Sequence, residues 1–127
     1  MKLHPITSAV KKAYQDLTDP DNAVNMQKYM KTDVPFYGIK TPVRRKIDKD
    51  IFKKHPIGSF EEYQRVIREL WACEHREEKY CAIGFALYYR KYILIDALPL
   101  FRMMIETGAW WDYVDAVSYT HLTLPTN

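Results

Sequence analysis

Trp110-Trp111-Asp112-Tyr113-Val114-Asp115 places two adjacent indoles beside two carboxylates three residues apart. On a helix, Trp111 and Asp115 are i and i+4 and share a face, one turn apart. A ring face attracts a cation through its quadrupole, and a carboxylate attracts it by Coulomb force. The pair is therefore suited to receive something flat and positively charged. The plainer alternative is a core tryptophan pair, with Asp112 as a first-turn acid favoured by the helix dipole.

A second charged feature lies upstream. Between Lys40 and Lys54 stand Lys40, Arg44, Arg45, Lys46, Lys49, Lys53 and Lys54, against Asp48 and Asp50. That stretch carries +5, more than the +3 of the whole 127-residue chain. Arg45 and Lys49 share a helix face, as do Lys46, Lys49 and Lys53, so either set could meet phosphates without reading sequence. A solvated helix face accounts for the same run. Arg90 and Lys91 are a further phosphate candidate, although cations at a helix C-terminus also offset its dipole. Cys73, His75 and Cys81 match no usual zinc spacing, so no metal and no cofactor is expected. Neither a Gly-rich phosphate loop nor a nucleophile elbow occurs.

The elements that must position these groups read as helices. Thr7 or Ser8 can cap a first helix that stops before Asp19-Pro20, and a second carries Ala23, Met26, Tyr29 and Met30. Pro35 and Gly38 make 33–39 a structured loop pinned to the body by its apolar residues. Thr41-Pro42 opens the basic helix, and His55-Pro56-Ile57-Gly58 closes it. Ser59 and Glu62 predict a capping box for a fourth helix, with Phe60, Tyr63, Val66, Ile67, Leu70 and Trp71 facing the core. A fifth helix, from about Arg76 to Tyr89, shows a stripe of Tyr80, Ile83, Gly84 and Leu87. Gly84 costs about 1 kcal/mol relative to Ala there, which predicts close helix approach. Arg90-Lys91-Tyr92 closes it. Asp96 caps a sixth helix with Leu98, Phe101, Met104 and Ile105 inward, and Thr107-Gly108 ends it.

No strand alternation is convincing, and glycine is scarce at 4. The expectation is an all-α stack of antiparallel helix pairs, a HEAT-like solenoid, with a compact bundle as the alternative. Hydrophobic residues at 47% fit a globular chain. Two thiols, no signal-like leader and no membrane-length apolar run predict a cytoplasmic protein that does not use a membrane. Residues 118–127 do not fit the helical pattern and resemble a translated sequencing adaptor. They are set aside as a foreign tail on residues 1–117, the N-terminal part of a longer domain.

Several stretches together resemble the AlkD-type DNA alkylation repair enzymes. They are Met26-Gln27-Lys28-Tyr29-Met30 and the run from Pro35 to Arg45, then Leu70-Trp71 with His75-Arg76-Glu77. Tyr88-Tyr89-Arg90-Lys91-Tyr92 and Leu98-Pro99-Leu100, leading to the paired tryptophans, complete the set. The resemblance covers nearly all of 7–117 and rests on the order and spacing of four motifs.

That resemblance implies a right-handed stack of HEAT-like pairs with a concave, basic DNA-binding face. It implies a metal-independent glycosylase that excises purines alkylated at N3 or N7 without extruding them. Trp111 and Asp115 take the functional positions of the motif, and Tyr29 is placed near the same groove. The expected DNA contacts are Tyr29, Trp110, Lys40, Arg45, Lys46, Lys49, Lys53, Arg90 and Lys91, on a monomer bound to alkylated double-stranded DNA. The family also uses an arginine and a tryptophan from later repeats, so the 127-residue chain alone is expected to be nearly inactive. The competing reading is a non-catalytic helical-repeat module that binds DNA or protein through the same basic face.

Overall fold

The computed structural model describes residues 2–32 and 34–107. Among these residues the chain is all-α, as the HEAT-like reading requires. Six helices follow in order: α1 (Pro5–Asp16), α2 (Pro20–Met30), α3 (Thr41–Lys54), α4 (Phe60–Trp71), α5 (Arg76–Tyr88) and α6 (Leu98–Thr107). Two 3-10 turns, Arg90–Tyr92 and Ile95–Ala97, join α5 to α6. No helix among the described residues is long and apolar enough to cross a membrane.

The helices form two layers. α1 contacts α4, and α4 contacts α6, while α3 and α5 pack side by side in the other layer. Across the layers α1 pairs with α3, and α4 with α5. These are the stacked pairs of a helical repeat, with α2 inserted between the members of the first pair.

The clearest apolar face is that of α4, where Tyr63, Val66, Ile67, Leu70 and Trp71 are all buried. They recur at i, i+3, i+4, i+7 and i+8, the period that places them on one stripe. α5 meets that stripe with Phe85, whose ring lies 5.7 Å from Tyr63, and the Tyr63 hydroxyl donates to the Ala86 carbonyl at 2.9 Å. From α6, Leu100, Phe101 and Met104 close the core. Burying each of these large side chains contributes roughly 1.5–3 kcal/mol, which explains why this face fixes the stack.

Several helix boundaries differ from the sequence-based expectation. α1 begins earlier than a Thr7 or Ser8 cap would allow. His4 is its cap, and the His4 ring accepts the Ile6 N–H at 3.1 Å. Only half of the box at α4 forms. Ser59 accepts the Glu62 N–H at 3.2 Å, but the Glu62 carboxylate turns to Gly58 and His4 instead. α3 starts one residue early, with Lys40 at the cap position. Arg90 to Tyr92 form a separate turn rather than the last turn of α5, and Asp96 lies inside a 3-10 turn rather than capping α6. Leu98 is exposed, and Leu100 takes the inward position expected of it.

α2 is anchored through a loop. It has no buried residue. Its N-terminus hangs on residues 35–39, where Phe36, Tyr37, Gly38 and Ile39 are buried, as expected of a pinned loop. The Glu77 carboxylate of α5 accepts the N–H groups of Tyr37, Gly38 and Ile39 at 2.9, 2.9 and 3.2 Å. Tyr37 also stacks on His75 with ring centroids 3.8 Å apart.

Candidate nucleic-acid interface

α2, α3 and α5 enclose an open hollow of about 1120 Å³. α3 faces it with Thr41, Arg44, Arg45, Asp48, Lys49 and Phe52, and α5 with Tyr80, Ile83, Gly84, Leu87 and Tyr88. Both sets recur every three or four residues, so each is one helical stripe. The stripe on α5 is the one expected to meet another helix. It lines the hollow, with Ile83 buried in the core and Tyr80 and Leu87 packed against it, while the most deeply covered apolar side of α5 is Cys81, Ala82, Phe85 and Ala86. A Cβ added at Gly84 would meet nothing within 4 Å, so close helix packing is not the reason for glycine there.

Two of the buried residues that line the hollow, Arg44 and Asp48, form a closed polar pair among Phe36, Phe52 and Ile83. Asp48 accepts from Arg44 Nη1 at 2.9 Å through one oxygen and from the Tyr14 hydroxyl through the other. The Arg44 guanidinium lies 5.4 Å from the Tyr80 ring centroid. Burial raises the Asp48 pKa, and Tyr14 and Arg44 oppose that shift by stabilising the anion. With both oxygens engaged, Asp48 is a structural counter-ion to Arg44 and not a free base. Arg44 therefore does not belong with the surface cations of the basic run, because the structure buries it and pairs it. The i, i+4 spacing of Arg44 and Asp48 is visible in the sequence. Tyr14, 34 residues away, is not.

At the rim the structure brings together three of the expected contacts. Tyr29 projects from α2 with 86% of its surface exposed, and Arg45 and Lys49 are exposed on α3 one turn apart. Lys40, Lys46 and Lys53 do not line the hollow. The set Lys46, Lys49 and Lys53 is thus divided, with only Lys49 on this wall. Arg90 and Lys91 sit on the turn after α5, also outside the lining, with Lys91 Nζ 5.2 Å from the Tyr92 ring centroid. Trp110, Trp111, Asp112 and Asp115 lie outside the described residues.

The thiols show no reactive character. Burial pushes the Cys73 thiol up to about 12, and burial also raises Cys81 well above its ordinary value. Both are held protonated and poorly nucleophilic. Among the described residues no group of three or more His, Cys, Asp or Glu side chains could hold a metal ion.

Sequence reasoning missed the roles of Tyr14, Asp48 and Glu77. Glu77 reads in sequence as an ordinary first-turn acid. Its capture of three backbone N–H groups depends on a loop 40 residues upstream.

No curated protein matches the chain. Residues 10–123 match the family described as DNA alkylation repair enzyme. The match runs from α1 past the last described helix and takes in residues 118–123 of the stretch set aside as foreign. Spanning most of the sequence and every element that builds the hollow, it establishes that this chain belongs to the DNA alkylation repair enzyme family.

Proposed function

We propose that the protein acts on duplex DNA as a glycosylase for purines carrying a cationic alkyl lesion at N3 or N7. The observation that carries this reading is the convergence of Tyr29, Arg45 and Lys49 on one hollow in a chain of the alkylation repair family. Arg45 and Lys49 are one turn apart and take neighbouring phosphates, and Tyr29 offers a ring face to sugar or base. Trp110, Lys40, Lys46, Lys53, Arg90 and Lys91 extend the DNA contact around this centre.

The chemistry follows from the charge of the lesion. Alkylation at N3 or N7 makes the base cationic, so it departs neutral and needs no general acid. Breaking the N-glycosidic bond moves positive charge onto the deoxyribose. Asp115 stabilises that oxocarbenium-like sugar and positions the attacking water, as carboxylates do in glycoside hydrolysis. Trp111 adds roughly 0.5–2 kcal/mol for a cationic lesion through its ring face. Neutral bases gain less and stay.

One observation favours a second reading, a non-catalytic DNA-binding module. Among the described residues the hollow is lined by a single carboxylate, Asp48, and both its oxygens are engaged. Catalysis then rests wholly on Asp115. Binding is tested by titrating duplex DNA at several salt concentrations. Arg45→Ala with Lys49→Ala should lower the slope of log affinity against log salt by about 0.9 for each phosphate no longer neutralised. An equal or larger effect from Lys40→Ala with Lys53→Ala would remove the hollow from the centre of the interface. Base release then separates enzyme from binder.

A further inference from the structure

The geometry points to Glu77 as the residue that positions Tyr29 at the rim of the hollow, although the two side chains belong to different helices. This inference rests on the proposed role of the hollow only for its consequence in DNA binding. The structural link stands without it.

The link runs through backbone. Glu77 is 1% exposed and holds the inner edge of the loop, with Oε1 on the Tyr37 N–H and Oε2 on the Gly38 and Ile39 N–H groups. The outer edge of the same residues holds α2. The Tyr37 carbonyl accepts the Asp19 N–H at 2.8 Å, and the Gly38 carbonyl accepts Asn22 Nδ2 at 2.7 Å. Asp19 in turn caps α2 by accepting the Asn22 N–H at 3.1 Å. Gly38 stands between the two edges at φ +92, where a Cβ would come within 2.2 Å of the Asp19 carbonyl oxygen and 2.8 Å of the Ala23 nitrogen. Loop and helix are therefore in direct backbone contact.

With no buried residue of its own, α2 takes its direction from this attachment rather than from a packed face. Tyr29 lies seven residues beyond Asn22, about 10 Å along the helix axis at a rise of ~1.5 Å per residue. A tilt of roughly 10° at the attachment shifts the ring by about 2 Å over that length. Displacements of about 1 Å at a binding or reacting centre are enough to cost large factors in function. Glu77→Gln keeps the volume of the side chain but replaces one acceptor oxygen with an NH₂ that cannot receive the loop N–H groups.

The test pairs two readouts on the full chain. Amide exchange in Glu77→Gln should accelerate at least about tenfold over 23–30 while the amides of α4 stay within about twofold of wild type. Affinity for methylated duplex DNA should fall several-fold, and Glu77→Gln should cause no further loss once Tyr29→Ala is present. Unchanged α2 exchange, equal acceleration in α4, or additive losses with Tyr29→Ala would each overturn the assignment. Should Glu77→Gln fail to fold, Asn22→Ala removes one of the two outer bonds at a half-buried site and should give the same pattern more weakly. A wild-type chain that binds no DNA defeats the proposed function, while α2 exchange still decides the positioning role.

Discussion

Tyr14→Phe removes a single oxygen, yet it should be one of the more damaging conservative changes in the molecule. Tyr14 is fully buried, and its hydroxyl donates to Asp48, itself 5% exposed. Phenylalanine fills the same volume and takes the Tyr14 donor away, leaving the buried carboxylate to Arg44 and to the Cys81 thiol, a weak donor. A buried group stripped of its partner costs about 1–3 kcal/mol, and more for a charged group. Arg44 still holds the other oxygen, which places the expected loss near ~2 kcal/mol. For a chain of this size that lowers Tm by roughly 6–10 °C. The loss has a pH signature. Burial already raises the folded Asp48 pKa, and losing the Tyr14 donor raises it further. The penalty therefore shrinks as pH falls through the folded Asp48 pKa and the carboxyl protonates. Urea unfolding of wild type and Tyr14→Phe at neutral pH and near pH ~4 measures both quantities. A loss below about 0.5 kcal/mol, or one larger in acid than at neutrality, would show that the Tyr14 hydroxyl does not hold the Asp48 anion.

Gly84→Ala should stabilise the protein by about 0.5–1 kcal/mol, because the helix gains propensity and the methyl enters open space. Thermal melting checks this, and destabilisation would mean that another element closes on α5 there. At the N-terminus, Thr7, Arg65 and the His4 backbone all donate to Glu69. Burial raises the Glu69 carboxyl, but these bonds outweigh it and hold the pKa below the ordinary value of 4.5. A depressed carboxylate contributes stability above that value and loses it as pH falls through the folded pKa. Glu69→Gln should flatten the acid limb of the stability profile, and an unchanged limb would contradict the linkage. Thr7→Val should cost about 1–3 kcal/mol at neutral pH by denaturant unfolding, and a loss under about 0.5 kcal/mol would contradict the bond's importance.

What the sequence disclosed follows from the range of the interactions involved. The stripe on α4 was legible because its members recur within the helix at a fixed period. The pinned loop was legible from Pro35 and Gly38 among apolar neighbours. α5 was harder, because it is apolar on two sides. Tyr80, Ile83, Gly84 and Leu87 repeat with helical spacing as well as Cys81, Ala82, Phe85 and Ala86 do, and only tertiary packing decides which stripe is covered. The cap of α1 escaped notice because His4 does through a ring nitrogen what Ser, Thr, Asp or Asn usually do. The basic run revealed its charge but not its partition. One arginine pairs inward with Asp48, two cations face the hollow, and the rest face elsewhere. The bonds from Tyr14 to Asp48 and from Glu77 to the 37–39 loop join residues 34 to 40 apart, a distance at which spacing carries no information.

The most direct measurement is base release from a duplex with one 7-methylguanine, followed under single-turnover conditions. It should be made on the chain and on its longest natural form, each with and without Asp115→Asn. Methylguanine should be freed by that longest form while unmodified guanine in the same duplex is retained. Removing the carboxylate should slow release by a factor of about 10²–10³, the usual effect of deleting one electrostatic stabiliser. Release at an unaltered rate by Asp115→Asn, or no release by the longest natural form, would contradict the proposed function.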